Sequence, residues 1–188
     1  MPARMGMATT TIEPRRKAWQ APQMTQIFAP AVALVMLLAT ALSPAAAAEW
    51  GHYVNERFGV EIDVPPGFEP GEPPANGDGL RFSTPTAELS VFGSFITEDG
   101  FSRDASQRMG WAEEAGWALT SRVATPRWSS WSGQQGSRLL HARAISLCDG
   151  AAIGVFELVY YEADIAAFVP IITRLEASLA DSGTGWQC

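Results

Sequence analysis

His52 and His141 are the only imidazoles in the chain, so a histidine general base near neutral pH has to be one of them. A serine hydrolase would pair such a base with a nucleophile, but no Gly-x-Ser-x-Gly elbow occurs. Cys148 is the nearest cysteine to His141, seven residues away. An odd separation on one regular strand sends the two side chains to opposite faces, so a Cys-His couple needs a bulge between them. A packed or half-exposed sheet histidine is the competing role for His141. Zinc calls for clustered His and Cys ligands, and two distant histidines do not supply them. Asn76 and Asp78, in Asn-Gly-Asp-Gly, have the spacing of two calcium-loop ligands. No bidentate glutamate closes that loop, and a turn held by Asx hydrogen bonds explains the same residues. Glu113 and Glu114 are adjacent on an expected helix and diverge by about 100°, too far to work as a carboxylate pair. Trp128 and Trp131 are three apart on an expected strand, so they face opposite sides. One of them is a candidate exposed platform for a sugar or a protein partner, against core packing for both.

The leading candidate binding surface is the Pro/Gly-rich stretch at 69–79 with Asn76, Asp78 and Arg81. It reads Glu-Pro-Gly-Glu-Pro-Pro-Ala-Asn-Gly-Asp-Gly. With no apolar periodicity it has to be a surface loop, and loops on a rigid sheet commonly carry function.

The elements that would position these residues are mostly strands. Val60, Ile62 and Val64 alternate with Glu61 and Asp63, the period of a strand with one wet face. A short strand over 53–56 precedes it across Arg57-Phe58-Gly59, and Pro65-Pro66-Gly67 ends it. Strands are expected at 80–83, 88–96, 118–124, 129–135, 137–147 and 151–161, with a hairpin signal at Asp149-Gly150. One helix is expected from a Ser102 cap to about Gly116, with Ala105, Met109 and Ala112 along its buried stripe. A second carries Ile165, Phe168, Ile172, Leu175 and Leu179 at helical spacing. Pro170 interrupts that pattern, so the regular helix is expected to start there, with the proline in its first turn. The sum is one α+β domain: a mainly antiparallel sheet of six or more strands with two helices.

The first 48 residues have the order of an export signal. Arg15, Arg16 and Lys17 precede an uncharged apolar run at 31–42. Ser43-Pro44 breaks the run, and Ala46 and Ala48 fit the small-x-small rule for cleavage after Ala48. The run is shorter than the ~20 residues of a spanning helix; an uncleaved anchor is the alternative. The remaining 140 residues hold nine arginines, nineteen acids and no lysine, a net charge of −10. This composition excludes Schiff-base and phosphate-loop lysine chemistry, and it disfavours nucleic acid and anionic membrane surfaces as partners. Cys148 and Cys188 are an even pair, expected to form a disulfide in an oxidising compartment that ties the last residue to the body.

Three stretches carry a resemblance: Tyr53-Val-Asn-Glu-Arg-Phe-Gly-Val-Glu-Ile-Asp-Val-Pro-Pro-Gly-Phe68, Ala75-Asn-Gly-Asp-Gly-Leu-Arg-Phe82, and the closing helix ending Glu176-Ala-Ser-Leu179. Together they resemble small exported proteobacterial proteins of uncharacterised function. The opening is similar to the start of the PsbP-like fold, an antiparallel sheet sandwiched by helices. That resemblance implies an accessory or binding role and transfers no catalytic residue. The expectation is therefore an exported, periplasmic or secreted, non-enzymatic binding or accessory module. No cofactor is expected, and its partner is a protein or small ligand. The alternatives are a small periplasmic hydrolase using His141 or a carboxylate, and a membrane-tethered accessory subunit.

Overall fold

A computed structural model describes residues 49–96 and 100–185. The export-signal segment, residues 97–99 and Cys188 lie outside the described residues. The chain divides into two units, 1–46 and 47–188, and the second is described here.

Its strands are β1 (Gly51–Val54), β2 (Val60–Val64), β3 (Glu69–Pro70), β4 (Gly79–Ser83), β5 (Glu88–Phe95), β6 (Ala118–Ala124), β7 (Trp128–Gln135), β8 (Arg138–Leu147), β9 (Ala152–Tyr161) and β10 (Ala180–Asp181). The helices are α1 (Phe101–Glu114) and α2 (Ile165–Ser178). Seven strands form one antiparallel sheet in the order β3-β4-β5-β9-β8-β7-β6, and three form a second in the order β1-β2-β10. The expected α+β class and antiparallel sheet are both present.

Alternation divides the large sheet's side chains between two cores. On one face Leu89, Val91, Phe156, Leu158 and Tyr160 meet Val60, Ile62 and Val64 of the small sheet, Phe58 of its β1–β2 turn, and Phe168 and Leu175 of α2. On the other, Trp131, Leu140, Ala142, Ala144, Ile153 and Val155 pack beneath Phe101, Ala105 and Met109 of α1. β9 lies at the centre and, Glu157 apart, is apolar on both faces, as a strand covered on two sides must be. Two glycines let the layers meet. A Cβ on Gly93 would lie 2.4 Å from Phe58 Cβ, and one on Gly154 would lie 2.7 Å from Val60 Cγ2.

Several local expectations are corrected. Helix α1 starts at Phe101, with Gly100 (φ 80°) as its cap, so Ser102 is inside the first turn and caps nothing. Gly100 adopts that left-handed φ without a Cβ penalty, and the helix can thereby begin early enough to bury Phe101. Helix α2 begins at Ile165, five residues before Pro170. The proline leaves the Ala166 carbonyl without its i+4 donor. Both residues are exposed, so that carbonyl is open to solvent. Ile165 is not on the buried stripe either, at 48% exposure. β1 stops at Val54 because Asn55 turns the chain: its Oδ1 accepts from Phe58 N–H (2.9 Å) and its carbonyl from Gly59 N–H (2.8 Å).

Candidate functional site

Cross-strand register sets a row of side chains on the α1 face of the large sheet: Arg81 opposite Ser90, Ser90 opposite Glu157, and Glu157 opposite Ala142. Directly opposed residues are the ones whose side chains meet across a sheet. Glu157 therefore stands between Ser90, which faces an open cleft, and Ala142, which is buried beneath α1. The next row runs Gly79, Phe92, Val155. Gly79 is required there, since a Cβ would come within 2.3 Å of the Val91 carbonyl.

The β3–β4 loop walls this space. Gly77 takes φ 64°, and its N–H closes on the Pro74 carbonyl at 2.9 Å. Asn55 Nδ2 donates to the Gly77 carbonyl (3.0 Å), Arg57 donates to the Asn76 carbonyl, and Gly93 N–H donates to the Asp78 carbonyl (2.8 Å). These anchors come from outside the loop, so it is held in one shape. The resulting cleft has a volume of about 510 Å³ and is lined by Glu72, Pro74, Asp78, Leu80, Arg81, Ser90, Phe92 and Glu157, among others. Its size and mixed lining are those of a small-molecule site.

Glu157 is the unusual group. Burial raises its pKa, opposed by the charge of Arg108. Arg108 is itself held by Asp104 Oδ2 at 2.7 Å and by the Ser94 hydroxyl. Among the described residues Glu157 makes no hydrogen bond or ion pair. A desolvated carboxyl in a cleft marks a candidate functional site.

The residues singled out from sequence divide between this cleft and elsewhere in the fold. Asp78 and Arg81 line the cleft, with Arg81 Nε 3.3 Å from Glu88 on its rim. Asn76 sits behind Asp78, donating to its Oδ2 at 2.7 Å, while Asp78 N–H donates back to Asn76 Oδ1 at 3.4 Å. The two side chains satisfy each other in an Asx turn. The tryptophans are elsewhere. They do face opposite sides of β7, but Trp131 is wholly buried beneath α1 and presents no platform. Trp128 is half-buried, with the Arg143 guanidinium 4.3 Å over its ring. Cys148 lies in a turn beyond β8, its N–H donating to Asp181 Oδ2 at 3.1 Å. Its expected partner Cys188 is outside the described residues.

A second polar constellation lies on the opposite face. Ser132 is paired directly with His141, so its hydroxyl meets Nδ1, the ring nitrogen nearer the backbone, at 2.9 Å. Nε2 reaches across to Glu176 Oε1 of α2 at 3.0 Å, and Arg143 Nη1 lies 3.4 Å from the same oxygen. The arrangement that satisfies every atom is a neutral ring with its proton on Nε2, donating to Glu176 and accepting from Ser132. Burial holds His141 below its ordinary pKa, against the raising effect of Glu176. The nucleophile–base–acid order is present; Ser132 lies within paired strands, opposite His141 on one side and beside the Leu119/Ser121 register shift of β6 on the other.

Sequence reasoning missed Glu157, Ser132 and Glu176. A signal existed for the first: one acid in the run Ala-Ile-Gly-Val-Phe-Glu-Leu-Val-Tyr-Tyr of an otherwise apolar central strand.

No protein-family model and no curated protein matches the chain. Solved structures do. Cyanobacterial PsbP (CyanoP) from Synechocystis sp. PCC 6803 superposes with a TM-score of 0.54 at 16% identity, over 73% of this chain and 95% of that one. The Ran-binding protein Mog1p from Saccharomyces cerevisiae gives 0.53 at 10%, over 72% and 97%. A point mutant of Mog1 gives 0.55 at 9%, over 74% and 100%. At these identities the likeness establishes the fold alone: this chain has the α+β architecture shared by PsbP and Mog1.

Proposed function

We propose that the chain is an exported, non-enzymatic binding or accessory module whose ligand site is the cleft under the β3–β4 loop. The observation that carries this reading is the pinned loop. Three hydrogen-bond anchors from outside it hold a wall over an unpaired, desolvated Glu157, and a preformed wall lowers the ordering cost of binding. Export rests on the sequence order of the first 48 residues. Oxidative pairing of Cys148 with Cys188 fits a periplasmic location, and the Asp181–Cys148 contact brings the C-terminal tail towards that cysteine. An intact mass beginning at Glu49 is expected; an uncut N-terminus would favour the tethered form.

The test is a thermal-shift screen with small metabolites, cell-wall sugars and peptides. A ligand at 100 times its Kd adds ~2.7 kcal/mol, a shift of several degrees. The shift should vanish in Glu157→Ala and be reduced in Glu72→Gln. A shift that survives both variants would move the site elsewhere, and no shift with any compound would leave a protein partner as the ligand.

The Ser132–His141–Glu176 chain favours the hydrolase as a second reading. Hydrolysis of an activated ester, lost in Ser132→Ala, would establish it. The expected result is no difference between that variant and the wild type, because Ser132 sits within paired strands rather than on a turn that aims N–H groups at an oxyanion.

A further inference from the structure

We infer that the cleft under the β3–β4 loop selects a small organic cation, an ammonium or guanidinium group on an apolar body, with Glu157 as its counter-ion. This inference rests on the cleft being a binding site and adds the class of its ligand.

The charges around the cleft are lopsided. Glu72, Asp78 and Glu157 line it against Arg81 alone. Arg81 is occupied by Glu88 at the rim, and its row position puts Ser90 between it and Glu157. Two strand spacings separate them, roughly 10 Å at the backbone. The other nearby cation, Arg108, is spent on Asp104 at 2.7 Å. Glu157 is thus a half-buried carboxyl with no hydrogen bond or ion pair among the described residues and only the longer-range charge of Arg108 to offset it, so a cation in the cleft would add the contact it lacks. An anionic ligand would meet three carboxylates there. A neutral one would bring no opposite charge to Glu157.

The rest of the lining sets the ligand's body. Leu80 and Phe92 are apolar and supply no oxygen ligand, and the Phe92 ring already takes one cation, the Arg108 guanidinium 5.6 Å from its centroid. Among the described residues no three His, Cys, Asp or Glu side chains gather as a metal would need. A volume of about 510 Å³ exceeds what a bare ion requires. A lining that combines carboxylates with hydrocarbon matches an amphipathic organic cation.

The test compares three isosteric probes on the full-length protein by titration calorimetry: benzylammonium, benzyl alcohol and benzoate. Benzylammonium should bind at least about tenfold more tightly than benzyl alcohol, with benzoate weakest. Glu157→Gln keeps the side chain's shape and should cut that preference to under about threefold. Glu72→Gln, on the exposed loop and remote from the core, should reduce it two- to threefold and serves as the second variant. Equal or tighter binding of benzyl alcohol or benzoate overturns the cation inference and leaves the cleft as a site. Tight benzylammonium binding unchanged by both variants overturns it too. Failure of all three probes to bind overturns the cleft reading along with it.

Discussion

Replacing Glu176 should weaken the fold through His141, and the size of that coupling follows from the geometry. His141 Nε2 donates to Glu176 Oε1 at 3.0 Å, and the His141 side chain is 15% exposed. A hydrogen bond to a charged group contributes about 1.5–3 kcal/mol. Glu176 is 31% exposed and retains Arg143 as a second partner, so the pairwise term falls below that range, to about 1 kcal/mol. His141→Ala alone should cost more, about 2 kcal/mol, because the ring also packs 6.0 Å from Phe156. The assay is urea unfolding of the wild type, Glu176→Ala, His141→Ala and the double variant, followed by tryptophan fluorescence. A coupling of about 1 kcal/mol appears as roughly 0.5 M in the midpoint. Burial depresses the native pKa of His141 below the ordinary 6.5. On acidification the unfolded chain therefore takes up its proton first, so stability is full above 6.5 and falls as pH drops below it. Glu176 opposes that depression, so its removal should enlarge the loss between pH 7.5 and 5.5. A coupling below about 0.3 kcal/mol, with no added pH dependence, would refute the bridge between α2 and the sheet.

Gly93→Ala should destabilise by about 1–3 kcal/mol, roughly 5–10 °C in Tm, because its Cβ would overlap Phe58, which is 2% exposed; a Tm equal to the wild type sinks that packing argument. Cys188→Ser should lower stability under oxidising conditions by up to about 4 kcal/mol, the loop-entropy value for about 40 residues. A reductant should have the same effect on the wild type, and no effect of either would refute the pairing. Calcium at millimolar concentration should leave Tm unmoved, since Asn76 and Asp78 hydrogen-bond each other. A shift of several degrees that Asp78→Ala abolishes would instead place an ion there.

Local pattern determined much of this protein. The alternation of Val60, Ile62 and Val64 depends only on pleat geometry and one wet face, and it recurs unchanged in β2. The run of Pro and Gly at 69–79 cannot build a long strand, and only Glu69–Pro70 pair before the chain leaves the sheet. The strands on either side of Asp149-Gly150 were likewise legible, because a hairpin turn and its flanking strands are local. Helix α2 was readable from its stripe but not its start. Where Pro170 falls depends on which face of the helix meets water, and that is a tertiary fact. Trp131 shows the same limit. Alternation puts Trp128 and Trp131 on opposite faces, but only the docking of Phe101, Ala105 and Met109 decides which face is covered.

The candidate site was legible in part, for the same reason. Asp78 and Arg81 were recognisable because a loop advertises itself by composition. Glu157 lies over seventy positions further along, and its place in the cleft comes from strand β9 inserting between β5 and β8. The Ser132–His141–Glu176 chain needs both the register of β7 on β8 and the seat of α2 above them. Sequence specifies the chemistry each residue carries. The non-local pairing of strands decides which residues share a face, and so which chemistry acts together.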